Sequence, residues 1–262
     1  MARPRTVKRV LNCIPSKEPE KDWFFEHAKD AGIMAAAPPI PSSKDLREEW
    51  WKISDQGSTG SCVGWATADS VLRWHFVSAG LLMKTERISP RFQWMAAKEI
   101  DEFTRQPTTF IESDGTSLKA ALDVARKYGA VRDSVLPFAS GKLYAGDVKT
   151  FYALAARRKI SSYFNLGKNL ADWKAWLAAE GPILTRLDVD STWDEAKATG
   201  GNIDVYRPET RRGGHAVALV GYTSDHFIVR NSWGTNWGDK GFGYASSAYA
   251  QEAFTEAYGV SL

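Results

Sequence analysis

Apolar residues in the first half of the chain recur mainly at helical spacing. Apolar positions between residues 66 and 77 predict an amphipathic or largely buried helix. A second helix is predicted to begin at Pro90, because Ser89 and Pro90 suit the N-cap and the first helical position. A third is predicted over residues 118–128, where Gly129 is placed to end it. The first half is therefore predicted to be mostly helical.

The second half contains short apolar segments rich in β-branched and aromatic residues and bounded by glycine or aspartate, a pattern typical of strands. Strands are predicted over residues 183–189, 215–222, 226–231 and 241–245. Short helices are predicted over residues 147–158 and 169–181, and a long polar connection over residues 191–212. A helical half followed by a strand-rich half indicates an α+β fold.

The first 41 residues differ from both halves. A basic start precedes a short helix predicted over residues 23–29 and ending near Gly32. A stretch rich in alanine and proline at residues 35–41 then indicates a stiff, extended linker. The predicted division is an N-terminal extension at 1–41, a helical lobe at 42–140 and a β-rich lobe at 141–262.

Composition narrows the function classes. The 262 residues carry a formal net charge of +3, which is too small to indicate a nucleic-acid partner. The basic residues Arg3, Arg5, Lys8 and Arg9 are expected to form a solvated arm rather than a nucleic-acid or membrane surface. No apolar run approaches the ~20 residues of a membrane span, and no signal-peptide pattern is seen. A cytoplasmic location is the default expectation, and export without a cleaved signal stays open.

Two cysteines and four histidines limit the metal and disulfide chemistry. Two cysteines form no disulfide framework, which suits a reducing compartment. The histidines are scattered and show no metal-ligand spacing. We therefore expect no metal and no cofactor.

Cys62 is the strongest candidate for chemistry. A polar, glycine-rich loop at residues 55–61 leads into it, and the helix predicted from residue 66 follows closely. The start of a helix offers free N–H groups and the positive end of the helix dipole, which favour a thiolate. A buried structural cysteine at a helix start is the alternative interpretation.

Two downstream motifs favour the catalytic interpretation. His215 lies in a Gly-Gly-His-Ala-Val sequence, and Asn231 lies in Asn-Ser-Trp-Gly-Thr-Asn-Trp-Gly. With Gln56 ahead of Cys62, the four residues follow the order found in the papain family of cysteine peptidases, which the chain resembles over about residues 42–245. The resemblance implies a two-lobe fold, with an N-terminal mostly helical lobe, a C-terminal antiparallel β lobe and the site in the cleft between them.

The resemblance also assigns roles to the four residues. Cys62 would be the nucleophile, and His215 would hold the proton and return it to the leaving amine. Asn231 would orient the imidazole. Gln56 would donate to the oxyanion together with the Cys62 main-chain N–H.

Further positions correspond to substrate-binding parts of the family. The loop at Gly115 and Thr116 would pair its main chain with the substrate. Leu118 and Ala216 would line a small-walled apolar pocket, and Trp233 would shield the bond between the asparagine and the histidine. Core packing is the alternative role for Trp233.

The sequence departs from the family pattern at four positions, which are Thr59, Val63, Thr116 and Gly214. Thr59 stands where many members have a cysteine, so their local disulfide cannot form here. Val63 and Gly214 would lie beside the thiolate–imidazolium pair and could alter activity and pH range. A disulfide between Cys13 and Cys62 that locks the enzyme is an open alternative.

The sequence predicts a thiol peptidase that hydrolyses peptide bonds, inside chains, through a thioester. An isopeptidase or an amide-forming acyl transferase would use the same residues. A catalytically silent binding protein is the third class, although such a protein would be expected to lose one of these residues. The expected partner is a peptide or protein substrate. Residues 1–41 would be an inhibitory pro-segment, a permanent arm or a packing extension.

Overall fold

The computed structural model describes residues 9–34, 40–101, 114–140 and 144–262. Most of the basic start and most of the linker predicted at residues 35–41 lie outside these ranges.

The helices of the first half follow the predicted pattern. A short helix, α1, spans Phe25–Asp30 in the N-terminal extension. Helix α3 spans Pro90–Ile100, and its N-cap residue Ser89 accepts a hydrogen bond from the Phe92 N–H. Helix α4 spans Leu118–Lys127 and ends before Gly129, whose φ of 98° is accessible to glycine at little cost.

The long buried helix α2 carries the predicted nucleophile at its start. It runs without a break through Cys62–Gly64, Trp65–Leu72 and Arg73–Ser78, and its middle segment has the wider π-helical turn. Gly64 allows α3 to pack closely against it, since a Cβ there would lie 2.5 Å from the Pro90 carbonyl oxygen. The absence of a side chain at this position therefore sets the distance between the two helices.

A single sheet organises the second half. Its strands are β1 Lys44–Asp45, β2 Ser162–Asn165, β3 Ile183–Val189, β4 Asn202–Ile203, β5 Gly213–Tyr222, β6 His226–Arg230, β7 Phe242–Ser246 and β8 Phe254–Ser261. The helices between these strands are α5 Val148–Ala156, α6 Leu170–Ala179, α7 Thr192–Glu195 and α8 Ser247–Ala253. The strand order is β2-β8-β3-β5-β6-β7-β4, and β1 pairs with β5. All pairs are antiparallel except the short β4–β7 pair. The α+β, two-lobe prediction is confirmed.

Two elements make contacts across the predicted boundary between the lobes, and the division at 1–41, 42–140 and 141–262 itself stays a prediction. The segment predicted to open the helical lobe begins with β1, which joins the sheet of the other lobe. Helix α5, predicted to belong to the β-rich lobe, packs on the helical lobe, where Phe151 contacts Phe92 edge to face and Ala155 accepts a hydrogen bond from the Ala130 N–H. Ala155 is buried there and Phe151 is half-buried against the core, so apolar contact at these two residues accounts for the packing.

Within the described ranges, no helix is both long and apolar enough to cross a bilayer.

Candidate active site

Cys62 occupies the first position of α2, where the main-chain N–H groups have no partner inside the helix. Ser61 is the N-cap residue, although its side chain makes no capping hydrogen bond. The sulfur is fully buried. The helix end favours negative charge on this sulfur, as the sequence predicts.

His215 and Asn231 meet because β5 and β6 are antiparallel neighbours. His215 is the third residue of β5, and Asn231 follows the last residue of β6. Their side chains lie 2.8 Å apart, from Nε2 of His215 to Oδ1 of Asn231. Since Oδ1 can only accept, Nε2 carries the hydrogen, and Nδ1 is the ring nitrogen left for Cys62.

Contacts within the site act on the Cys62 thiol. A hydrogen bond with the Cys13 thiol, followed by the His215 ring, lowers the pKa of Cys62 well below its usual value, while burial opposes this change. Desolvation and the neighbouring Cys62 raise the pKa of the Cys13 thiol. Cys62 is therefore the cysteine of this pair that ionises first, which suits it to nucleophilic chemistry.

Gln56 is held rigidly beside the start of α2. Its Oε1 accepts from the Ser232 hydroxyl at 2.8 Å, and its Nε2 donates to the Thr59 carbonyl at 3.0 Å. Its main-chain N–H also donates to the Ser232 carbonyl. Nε2 carries two hydrogens, so one remains for a second acceptor in the site.

Two tryptophans contact the His215 ring, and a third packs against both of them. The Trp233 ring lies 4.7 Å from the His215 ring, centroid to centroid, and Trp193 meets His215 edge to face at 5.6 Å. Trp193 stacks on Trp237 at 4.8 Å, and its Nε1 donates to the Tyr249 hydroxyl. The rings of Trp193 and Trp233 thus form an apolar surface against the His215 imidazole. The sequence pointed to Trp233 but not to Trp193, whose only signal was its position in the long polar connection.

A family model described as papain family cysteine protease matches residues 40–257. The chain belongs to the papain family of cysteine peptidases. It is a hydrolase of the thiol protease class, as its motifs predict. Cathepsin B-like CP2 of Giardia intestinalis is 26% identical over 241 residues, which cover 84% of this chain and 74% of that protein. A cathepsin L-like proteinase of Fasciola hepatica is 25% identical over 213 residues, covering 78% and 59%.

Solved structures show the same fold. Xylellain, a cysteine protease from Xylella fastidiosa, has a TM-score of 0.79 at 21% identity and covers 100% of this chain and 99% of its own. Digestive procathepsin L2 from Tenebrio molitor has a TM-score of 0.71 at 20% identity, covering 97% of this chain and 78% of its own. The papain-like fold thus includes both lobes of this peptidase.

In this papain-family peptidase, the N-terminal extension lies across the site. The name arm is used below for its residues 9–24. The Cys13 N–H donates to the Gly214 carbonyl at 3.0 Å, and the Ile14 N–H donates to the Thr116 carbonyl at 3.2 Å. The arm therefore bridges the two lobes directly above Cys62.

Both walls of the cleft approach the arm closely. A Cβ at Gly115 would lie 2.0 Å from the Asn12 carbonyl oxygen, and one at Gly214 would lie 2.2 Å from the Cys13 carbonyl oxygen. The glycine at 214, a departure from the family pattern, thus leaves room for the arm. Thr116 pairs with the arm through its main chain, and the role of this loop toward a substrate stays a prediction.

Arginine side chains hold the arm on both sides of Cys13. Arg9 donates to Asp55 and to the Trp233 carbonyl, the latter at 2.9 Å. The buried Arg186 of β3 donates from Nε to the Cys13 carbonyl at 3.0 Å. Sequence reasoning missed Arg186, because only the register of β3 against β5 places it opposite Ala216.

A cavity of about 540 Å³ opens between the arm and the β-rich lobe. Charged side chains dominate the wall that the lobe contributes, including Arg186, Asp188 and Glu256. Neither Leu118 nor Ala216 lines this cavity, and both are fully buried while the arm is in place. The predicted apolar pocket at those two residues stays a prediction.

Among the described residues, no cluster of three or more histidine, cysteine or acidic side chains could hold a metal ion.

Proposed function

We propose that the chain is an endopeptidase that acts through a thioester on Cys62. The Cys62 thiolate attacks the carbonyl carbon of a peptide bond, and the carbonyl oxygen becomes an oxyanion. Collapse of this intermediate expels the amine and leaves the acyl group on sulfur. Water then hydrolyses the thioester and regenerates the thiol.

We assign the supporting roles from the contacts at the site. His215 takes the Cys62 proton and gives it to the leaving amine, while Asn231 fixes the ring through the 2.8 Å hydrogen bond to Nε2. The free N–H of Gln56 and the Cys62 main-chain N–H would bind the oxyanion. Trp193 and Trp233 would keep water from the histidine–asparagine bond.

The endopeptidase assignment is supported by the path that the arm takes through the cleft. Residues 9–12 lie on one side of Cys13 and residues 14–16 on the other, and both sides are bonded to the protein. Arg9 contacts Asp55 and the Trp233 carbonyl at one end. Ser16 contacts Glu256 and Lys119 at the other. A cleft that holds an extended chain on both sides of the nucleophile can accept an internal peptide bond.

We propose that residues 1–41 act as an intramolecular inhibitor. The Cys13 carbonyl is turned to Arg186, so a thiol rather than a carbonyl faces the nucleophile. The arm is therefore held in a form that is not attacked at Cys13. Beyond the cleft, the Asp22 carboxylate forms an ion pair with Lys119 and accepts from the Tyr258 hydroxyl, which anchors the arm to both lobes.

One experiment tests both the endopeptidase assignment and the inhibitory role of residues 1–41. Wild type and a Cys62→Ala variant are incubated under reducing conditions with a mixed library of peptides blocked at both termini. Cleavage is read by mass spectrometry, along with the mass of the protein itself. We expect internal cleavage only by wild type, and loss of the N-terminal extension only from wild type as activity rises.

Equal cleavage by the Cys62→Ala variant would refute the role of Cys62. Cleavage of library peptides only when a terminus is left free would refute the endopeptidase assignment. Full activity from the first time point, with the extension still attached, would refute its inhibitory role. Labelling of Cys62 by an epoxysuccinyl probe serves as an independent control that the thiol is competent.

A further inference from the structure

The two cysteines of this chain meet in the cleft. They are far apart in sequence, and both are free and buried. Cys13 is 2% exposed and Cys62 is 0% exposed, and their thiols are in hydrogen-bond contact. The arm thus places Cys13, the second cysteine of the sequence, next to Cys62, and two thiols can form a reversible covalent bond.

The main chain around Cys13 is fixed from three directions. Gly214 and Thr116 bind the N–H groups of residues 13 and 14, one from each wall of the cleft. Arg186 binds the Cys13 carbonyl, and it is itself held by the Thr255 hydroxyl at 2.7 Å. The Cys13 sulfur lies 3.9 Å from the Ile14 carbonyl oxygen and within hydrogen-bond reach of the Cys62 sulfur.

The two thiols differ in reactivity. Cys62, beside His215, has the lowered thiol pKa of the pair, and a thiolate is the form that oxidants attack. Burial raises the pKa of the Cys13 thiol. This is the arrangement of a cysteine that is oxidised first and a second cysteine that resolves it.

We propose that Cys13 and Cys62 form a reversible disulfide in response to a hydroperoxide, which locks the arm over the site and protects the nucleophile. This inference rests on the proposed role of Cys62. It differs from simple coverage by the arm, because a covalent bond prevents the arm from leaving until a reductant acts.

The step is balanced as follows. Hydrogen peroxide oxidises the Cys62 thiolate to a sulfenic acid and is reduced to water. The Cys13 thiol then displaces water from the Cys62 sulfenic acid, so the S–S bond forms and the S–O bond breaks. In sum, two thiols and one peroxide give one disulfide and two waters. Both thiols are buried with the arm closed, so the first step requires the arm to lift and the second its return.

The test uses the full-length chain, purified under reducing conditions, with its mass confirming that the arm is present. After excess hydrogen peroxide, free thiols are blocked and the protein is digested with trypsin without reduction. We expect a cross-linked pair of peptides, residues 10–17 joined to residues 53–73, lighter by two hydrogen atoms than their sum. Prior reduction should separate the pair.

A Cys13→Ser variant is the matched control for activity. Peroxide should inactivate both proteins toward a peptide substrate. Reductant should then let wild type lose its extension and reach the activity that untreated wild type develops, because the disulfide is reversible. The variant should stay inactive, since an unresolved sulfenic acid is oxidised further to sulfinic and sulfonic acids that thiols do not reduce.

Absence of the cross-linked pair, or equal recovery of the two proteins, would overturn the proposal. Failure of the disulfide inference can be distinguished from failure of the proposed peptidase function. If reduced wild type cleaves peptides and no cross-link forms, the disulfide inference fails alone. If the cross-link forms in a protein that cleaves no peptide, the proposed peptidase function fails and the redox pair stands.

Discussion

Individual polar residues in the cleft are fixed by more than one partner. Gln56 shows this best, since Ser232 and Thr59 hold the two ends of its carboxamide, and the side chain is 1% exposed. A donor that is already oriented loses little freedom when a charge develops nearby, which is why such groups stabilise a transition state strongly.

Replacement of Gln56 by alanine should lower kcat by a factor on the order of 10²–10³, equivalent to about 3–4 kcal/mol. Gln56→Glu is the matched variant, because it keeps the shape but replaces the N–H donor with a negative charge, and it should be at least as slow. Kinetics on a capped peptide, with active sites titrated by a covalent probe, measure the effect. Urea unfolding checks that the fold is intact, and a Gln56→Glu enzyme at full rate would contradict the donor role.

The sequence predicts the central side chains of the site but not those that surround them. Cys62, His215 and Asn231 lie in distinctive local motifs, so their chemistry could be predicted before their distances were known. Trp193 and Arg186 lie in ordinary surroundings, and their positions depend on strand register and on where the arm lies. No local pattern carries that information.

The same limit on prediction from local sequence applies to whole helices and strands. Strand β3 was predicted with its observed bounds, because its apolar residues are bounded by Gly181-Pro182 on one side and by the polar connection on the other. Strand β8 was not predicted, since it follows α8 directly and no turn residue marks where the helix ends and the strand begins. The two-residue β1 and the π-helical part of α2 are set by packing partners distant in sequence, which the local pattern does not contain.

Helix α2 also buries a titratable residue near its end. His75 is 7% exposed, and within the described chain its Nε2 has no hydrogen-bond partner. Burial lowers the pKa of His75 to about 4. The folded protein therefore keeps this ring neutral at pH values where the unfolded chain, with a histidine pKa of about 6.5, binds a proton.

Because of this difference in pKa between the folded and unfolded chain, His75 should destabilise the folded protein in acid. His75 does not destabilise the fold above pH ~6.5. As pH falls through that value the loss of folding free energy grows, and below pH ~4 it reaches its full size of about 3 kcal/mol. The variant His75→Gln does not titrate. Urea unfolding of both proteins at several pH values between 7 and 4 should show wild type losing stability faster. Parallel loss in the two proteins would contradict the assignment.

At the scale of the molecule, a buried ionic cluster joins the lobes. Asp69 of α2 is 1% exposed and contacts Arg73 at 3.1 Å, Arg87 at 3.0 Å and Arg230 at 3.3 Å. Arg230 ends β6, directly before Asn231, and also donates to the Lys52 carbonyl at 2.7 Å. Desolvation lowers the pKa of Arg230 to about 10, so it stays charged at neutral pH. The cluster thus connects the helix that begins at Cys62 to the strand that ends at Asn231.

Loss of the Asp69 charge should weaken both stability and catalysis. Asp69→Asn leaves buried arginines without their counter-ion, and removal of one partner of a buried pair costs about 3–5 kcal/mol. The double variant Asp69→Leu/Arg230→Met removes both charges and should recover part of that loss, because no unpaired Arg230 remains. Urea unfolding gives the free energies, and kcat/KM of the folded variants shows whether Asn231 is displaced. If Asp69→Asn costs less than about 1 kcal/mol, or the double variant is less stable than the single one, the cluster does not hold the lobes together.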